Sequence, residues 1–181
     1  MAFLDLITAR QSVRKYSQRP VEPEKLERCL EAARLAPSAS NTQPWHYIVV
    51  QDEPLRTKVA EATFSGPVKF NRFTLQAPVL VVILLEQPKL RNRLAMILKN
   101  KEWKLIDIGI TATHFCLQAA EEGLGTCMMG WFNEKQLKKV LSLPISKTIG
   151  LVISLGYAEE DYPLRTKIRK PMEAIVSYNG F

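Results

Sequence analysis

Histidine is almost absent from this chain. Only His46 and His114 occur, far apart and without carboxylate or cysteine partners at ligand spacing, which argues against a metal site. Cysteine is scarce as well: Cys29, Cys116 and Cys127 show no paired spacing. An odd, scattered set reads as free thiols in a reducing cytoplasm, not as a disulfide framework. No apolar run is long enough for a membrane span. Met1-Ala2-Phe3-Leu4-Asp5 has no basic stretch ahead of an apolar one, so no secretory signal is expected. Internal repeats, low-complexity tracts and interdomain linkers are missing. So is the GxGxxG fingerprint: Gly123-Leu124-Gly125 lacks the third glycine and follows a predicted helix, not a strand. A dinucleotide, if used, is then a visiting substrate and not a cradled cofactor.

Acidic residues are outnumbered, 18 against 25 Lys plus Arg, for a formal net charge of +7. Such an excess attracts anions in general. Nucleic acid is not expected, because the basic residues are dispersed and no recognised binding motif appears. Lys99, Lys101 and Lys104 around Trp103 read as a solvated face. With 181 residues, 46% of them hydrophobic and 24% charged, the composition is that of a globular chain forming a single domain over 1–181.

Two short stretches carry the chemical information. Arg10-Gln11-Ser12-Val13-Arg14 places two guanidinium groups and a hydroxyl on alternate residues. In an extended segment, residues 10, 12 and 14 point to one side. Planar forks plus a neutral donor suit a phosphate. Some thirty residues on, Pro37-Ser38-Ala39-Ser40-Asn41-Thr42-Gln43-Pro44-Trp45 offers hydroxyl and amide groups beside a rigid proline and an indole. That mixture suits a flat heteroaromatic ring with a donor–acceptor edge. Taken singly, the first stretch reads equally as a solvated helix end and the second as a helix stop with an ordinary loop. The two in this order point to a phosphorylated ring cofactor.

The rest of the pattern predicts helices over Phe3–Ala9, Pro23–Leu35, Pro54–Ala62, Leu90–Lys99 and about Leu105–Glu122, and one capped by Asn133 running to Leu141. Strands are predicted over His46–Val50, Val79–Leu85 and Ile149–Leu155; the near-continuous apolar run of the second marks a central strand covered on both faces. From Ala158 the chain reads as an irregular basic tail with a short apolar ending. The fold class is α+β, a sheet with helices on both sides.

With these motifs the chain resembles the nitroreductase family, FMN-dependent NAD(P)H oxidoreductases. Ala77-Pro78-Val79-Leu80-Val81-Val82 looks like the family's second strand. Asp107-Ile108-Gly109-Ile110 and Leu117-Gln118-Ala119-Ala120-Glu121-Glu122-Gly123-Leu124-Gly125-Thr126-Cys127 look like its central helix and following turn. Leu155-Gly156-Tyr157 and Lys167-Ile168-Arg169-Lys170-Pro171 match its closing strand and basic tail. The resemblance covers nearly the whole chain and is weakest at about 53–106.

The resemblance implies a nitroreductase-like fold with a central mixed sheet, a C-terminal tail packed on a partner subunit, and a cytoplasmic homodimer with FMN at its interface. By the same resemblance, Arg10, Gln11, Ser12 and Arg14 hold the phosphate and part of the ring's polar edge, and Lys167 and Arg169 complete the phosphate clamp. Pro37, Ser38, Ser40 and Asn41 reach the flavin of the partner; Gln43, Pro44 and Trp45 match the motif but suit packing equally. Asn71 stands where the family touches the pyrimidine edge, and Thr74 stands where it often has Lys. Met128, Met129 and Gly130 occupy the turn that passes a main-chain N–H to flavin N5 or O4. The flavin carries the chemistry, a hydride passing from NADH or NADPH through N5 to a nitroaromatic, quinone or related oxidant, so no catalytic side chain and no metal is expected. The alternatives are a same-fold flavin enzyme of different reaction (reductive dehalogenation or flavin breakdown, decided by a lid at roughly 87–106) and a non-catalytic basic binding protein.

Overall fold

The computed structural model describes residues 1–64, 70–86 and 103–181. The helix expected over Leu90–Lys99 lies outside these residues, as does most of the expected lid. The centre of the molecule is the apolar run Val79–Leu85, strand β2, in which every residue is buried. Its β-branched and leucine side chains suit a strand with both faces covered. With β1 (Trp45–Val50), β3 (Gly125–Met129) and β4 (Thr148–Gly156) it forms a sheet in the order β1-β2-β4-β3.

All three pairings are antiparallel, with Trp45 opposite Leu85, Val79 opposite Leu155 and Gly125 opposite Gly156. Among the described residues, the mixed character expected of the sheet is confined to one isolated parallel bridge, Ser12 to Thr126, which sets the Arg10–Arg14 segment beside β3.

Strand alternation divides β2 between two cores. Val79, Val81, Ile83 and Leu85 meet Leu26, Cys29 and Ala33 of helix α2 (Pro23–Arg34) and Ile108, Ala112, Phe115 and Ala119 of helix α4 (Trp103–Glu121). Leu80, Val82 and Leu84 meet Val59, Ala60 and Ala62 of α3 (Glu53–Ala62) and Leu137 of α5 (Glu134–Val140). Each fully buried branched side chain contributes about 1.5–3 kcal/mol, so this one strand anchors both layers. The three thiols are free and buried, and burial pushes them up, Cys29 to about 12 and Cys116 to about 11.

Local signals explain the helix ends. Pro23 opens α2, with Glu24 in its first turn and Arg34 in its last. The Asp52 carboxylate accepts the Leu55 main-chain N–H at 3.1 Å, and the Asn133 side chain accepts that of Gln136 at 3.0 Å. Helix α1 (Phe3–Ala9) is mostly apolar yet buries no residue within the protomer.

The element that sequence reasoning did not separate is β3. Residues 125–129 were expected as a turn, and they form an edge strand. The reason for the glycine at its start is steric: a Cβ on Gly125 would lie 2.6 Å from Val13 Cγ2. Only glycine lets the Arg10–Arg14 segment lie this close.

Candidate cofactor site

The comb of basic residues is held extended by what lies between its teeth. Val13 is buried, and its N–H donates to Thr126 O at 2.9 Å. Three residues on, Tyr16 is buried, and its hydroxyl bonds Val13 O at 3.0 Å and Ser154 Oγ at 2.7 Å. With Val13 turned into the core, Ser12 and Arg14 remain on the outer side. Arg10 stands at the C-terminal end of α1.

The other end of the chain comes back to this segment. Lys167 Nζ donates to Arg10 O at 2.5 Å, and Arg165 Nη2 donates to Ser12 O. Between the two segments lies a cavity of about 410 Å³ lined by Arg10, Ser12, Arg14, Arg165, Lys167 and Arg169 among others, with no acidic residue in its wall. Among the described residues none of the five cations is ion-paired. The ammonium of Lys167 is held below its ordinary range, first by partial burial and then by Arg10, Arg169 and Arg165. A phosphate dianion fits this donor set: forked guanidinium groups, an ammonium and a hydroxyl, all on one side of an uncompensated positive basin.

Arg165 was not singled out from the sequence. The signal was there: Arg165, Lys167 and Arg169 repeat the alternate-residue pattern of Arg10, Ser12 and Arg14.

Two further expected groups lie along the same edge of the sheet. β3 carries the chain from Thr126, beside the comb, to Met129 and the exposed Gly130 four residues on. Met129 is buried in the second core and Met128 is partly buried against the first, while the space where a Gly130 side chain would stand is open. Asn71 is buried and tied to the end of this edge: Nδ2 donates to Trp131 O and to Thr63 O, each at 3.1 Å.

Thr74 faces away. It is fully buried, bonded to Thr63 Oγ1 at 3.0 Å and to Asn71 O at 2.8 Å. The stretch Arg72–Gln76 is a 3₁₀ helix, not an extended segment. Residues 71 and 74 therefore eclipse on its inner face and Arg72 stays exposed.

The polar loop is elsewhere. Ala39–Asn41 forms one 3₁₀ turn just before β1. Three non-glycine residues have positive φ: Ser40 at 52°, Asn41 at 51° and Gln43 at 44°. Such conformations are uncommon and cost energy unless the surroundings hold them. Here Ser38 Oγ accepts the Gln43 main-chain N–H at 2.9 Å, Asn41 Oδ1 accepts Gln43 Nε2 at 2.9 Å, and the buried Asp107 carboxylate of α4 accepts the Ala39 N–H at 3.2 Å. Exposed Pro37 precedes the loop, and Trp45 packs partly buried against the first core.

The loop and the basin occupy diagonally opposite corners of the sheet. The loop leads into β1 at the Leu85 end of β2, and the basin borders β3 at the Val79 end. They are separated by three strand spacings, about 14 Å, and by some six residues along the strands, about 20 Å. One protomer does not bring them together.

Comparison with known proteins identifies the family. The sequence pattern of the Nitroreductase family matches residues 7–157. A protein of Archaeoglobus fulgidus, provisionally named NADH dehydrogenase/NAD(P)H nitroreductase, is 32% identical over 162 residues, 87% of this chain and 86% of its own. An iodotyrosine deiodinase of Thermotoga neapolitana is 26% identical over 98% of this chain and 97% of its own. The solved structure of an FMN-dependent nitroreductase from Clostridium difficile superimposes with a TM-score of 0.78 at 27% identity, over 99% of this chain and all of that one. A family pattern running from the first helix to the end of β4 establishes that this chain is a member of the nitroreductase family.

Proposed function

We propose that this protein is a homodimeric FMN-dependent oxidoreductase that oxidises NADH or NADPH and reduces nitroaromatics, quinones or related small oxidants. The observation that carries the reading is the five-cation basin between residues 10–14 and 165–169. Arg10, Arg14, Lys167 and Arg169 bind the phosphate of FMN, and Ser12 adds a neutral donor. When bound, the flavin supplies the redox chemistry at N5; the chain's own residues bind it, orient it and exclude water from it. Asn71, Met128, Met129 and Gly130 border the ring along the β3 edge, Asn71 through a pre-set amide and Gly130 through an unobstructed main chain.

The position of the polar loop supports a dimer. Pro37, Ser38, Ser40 and Asn41 are too far from the basin of their own protomer to share one cofactor with it, so they serve the partner's site. Apolar surface supports the same reading. Phe3 and Leu4 on α1 are 66% and 75% exposed, Leu105 and Ile106 on α4 are each 52% exposed, and Met172, Ile175 and Tyr178 of the tail stand out from the protomer. Patches of this kind mark interfaces.

The absorbance spectrum of the purified protein tests the reading, followed by chromatography of the heat-released cofactor and anaerobic titration with each nicotinamide. A flavin spectrum, recovery of FMN and bleaching by NADH or NADPH are expected. Recovery of FAD, or protein that stays colourless after FMN is added, sinks the proposal. The likeness to the Thermotoga deiodinase supports a second reading, reductive dehalogenation by the same flavin. Turnover of a halotyrosine with a reduced-flavin donor, in the absence of nitroaromatic reduction, would select it.

A further inference from the structure

Besides the bonds that Lys167 and Arg165 give to the main-chain carbonyls of Arg10 and Ser12, two neutral side chains fasten the basic tail to the comb. Gln11 uses both ends of its amide: Nε2 donates to Pro163 O at 3.0 Å, while Oε1 accepts from the Arg165 main-chain N–H at 3.1 Å and from Arg165 Nε at 3.3 Å. With two bonds its oxygen is saturated. Tyr162 completes the contact. Its hydroxyl accepts the Arg14 main-chain N–H at 3.1 Å and donates to Ser12 O at 3.4 Å.

Electrostatics gives these bonds a purpose. Arg165, Lys167 and Arg169 face Arg10 and Arg14 with no carboxylate in the cavity wall, so the two segments repel each other until an anion arrives. Bonds to neutral partners, which need no anion, have to hold them together beforehand. We propose that Gln11 and Tyr162 are positioning residues, a neutral clasp that seats the cations of the tail before FMN binds and governs how fast the flavin leaves. Gln11, itself in the wall of the cavity, then acts on the phosphate through Arg165 and its neighbours. A preseated tail spares the ligand the cost of ordering it, which is the general advantage of preorganisation. The inference rests on the flavoenzyme reading above and assigns to it two residues whose effect runs through the seating of the tail.

The test compares FMN with riboflavin, which lacks the phosphate, on Gln11→Ala and Tyr162→Phe proteins stripped of flavin. Losing the clasp should weaken FMN about ten-fold, mostly as faster dissociation, and leave riboflavin affinity unchanged. If Gln11→Ala fails to fold, Tyr162→Phe, which keeps the ring, carries the test alone. Equal weakening of FMN and riboflavin, or no change in either, overturns the clasp while leaving the flavoenzyme reading intact. Wild-type protein that takes up neither flavin overturns both.

Discussion

Lys167 donates a hydrogen bond to the main-chain carbonyl of Arg10 at 2.5 Å, across 157 residues of intervening chain. The contact closes one wall of the basin and brings the two alternate-residue combs face to face. Every expectation about anion binding depends on this meeting of the chain ends.

Arg10→Ala and Arg169→Ala each remove one cation from the basin. A hydrogen bond to a charged group is worth roughly 1.5–3 kcal/mol, so each change should weaken FMN by about one to two powers of ten. Riboflavin should be nearly indifferent. The double mutant should lose less than the sum, because both act on one group. Flavin titration of the apo-variants measures all of this. Equal weakening of both flavins by Arg169→Ala would mean that the residue supports folding or assembly instead.

The diagonal separation of loop and basin predicts complementation between subunits. Arg10→Ala/Arg169→Ala chains and Ser40→Ala/Asn41→Ala chains should each bind FMN poorly alone. Refolded together, they should form heterodimers with one intact site, drawing its basin from one chain and its loop from the other. Flavin content of the mixture, with light scattering to confirm the dimer, reads the outcome. A flavin-loaded monomer at micromolar concentration would rule out the shared site.

Gly125→Ala tests the close approach of the comb to β3. The added Cβ meets the Val13 side chain head-on. Overpacking of this kind costs about 1–3 kcal/mol, and relief requires the comb to move. Urea denaturation should show the loss, and Val13→Ala in the same chain should recover only part of it, because the Cβ of residue 13 itself lies 2.8 Å from the added one. A Gly125→Ala protein as stable as wild type would show that the comb is not seated this tightly.

Acid stability should depend on Glu22. Its carboxyl is lowered from 4.5 to about 2, first by the hydroxyl of Tyr157, then by its own main chain and by Arg19. Tyr157 donates to Glu22 at 2.7 Å and accepts from Lys25 Nζ at 2.8 Å, with the Arg19 guanidinium 3.9 Å above its ring. A carboxyl whose folded value lies below its unfolded one stabilises the fold above the unfolded value and ceases to as pH falls to the folded value. The contribution of Glu22 is therefore present above about pH 4.5 and disappears between there and about pH 2. Urea midpoints through this window should fall less steeply for Glu22→Gln, and Tyr157→Phe should remove most of the difference. Parallel curves for wild type and Glu22→Gln would contradict the assignment.

Where local chemistry is strong, sequence and structure agree closely. The apolar run 79–85 is the central strand, residues 3–9 form the first helix, and Asp52 and Asn133 sit at helix starts. Such features depend on periodicity, capping and side-chain entropy within a few residues. The charges of the comb at Arg10–Arg14 were readable as well, but not its geometry: a helix end fitted equally, and the bridge of Ser12 to Thr126 decides that the segment is extended.

Other features were decided only by tertiary contacts. Strand β3 is five residues long with no alternating pattern of its own; its pairing with β4 and the approach of Val13 make it a strand. The Arg72–Gln76 turn buries Thr74 because Thr63 and Asn71 offer it partners, which no local propensity announces. The tail has almost no regular structure, and its place is fixed by Gln11 from the far end of the chain and by its own Tyr162. The sequence by itself thus determined the layers and the charges of the site. Only the fold decided which charges meet and which corner the loop occupies, because hydrogen bonds and repulsions between distant segments acquire their values only when packing has brought those segments together.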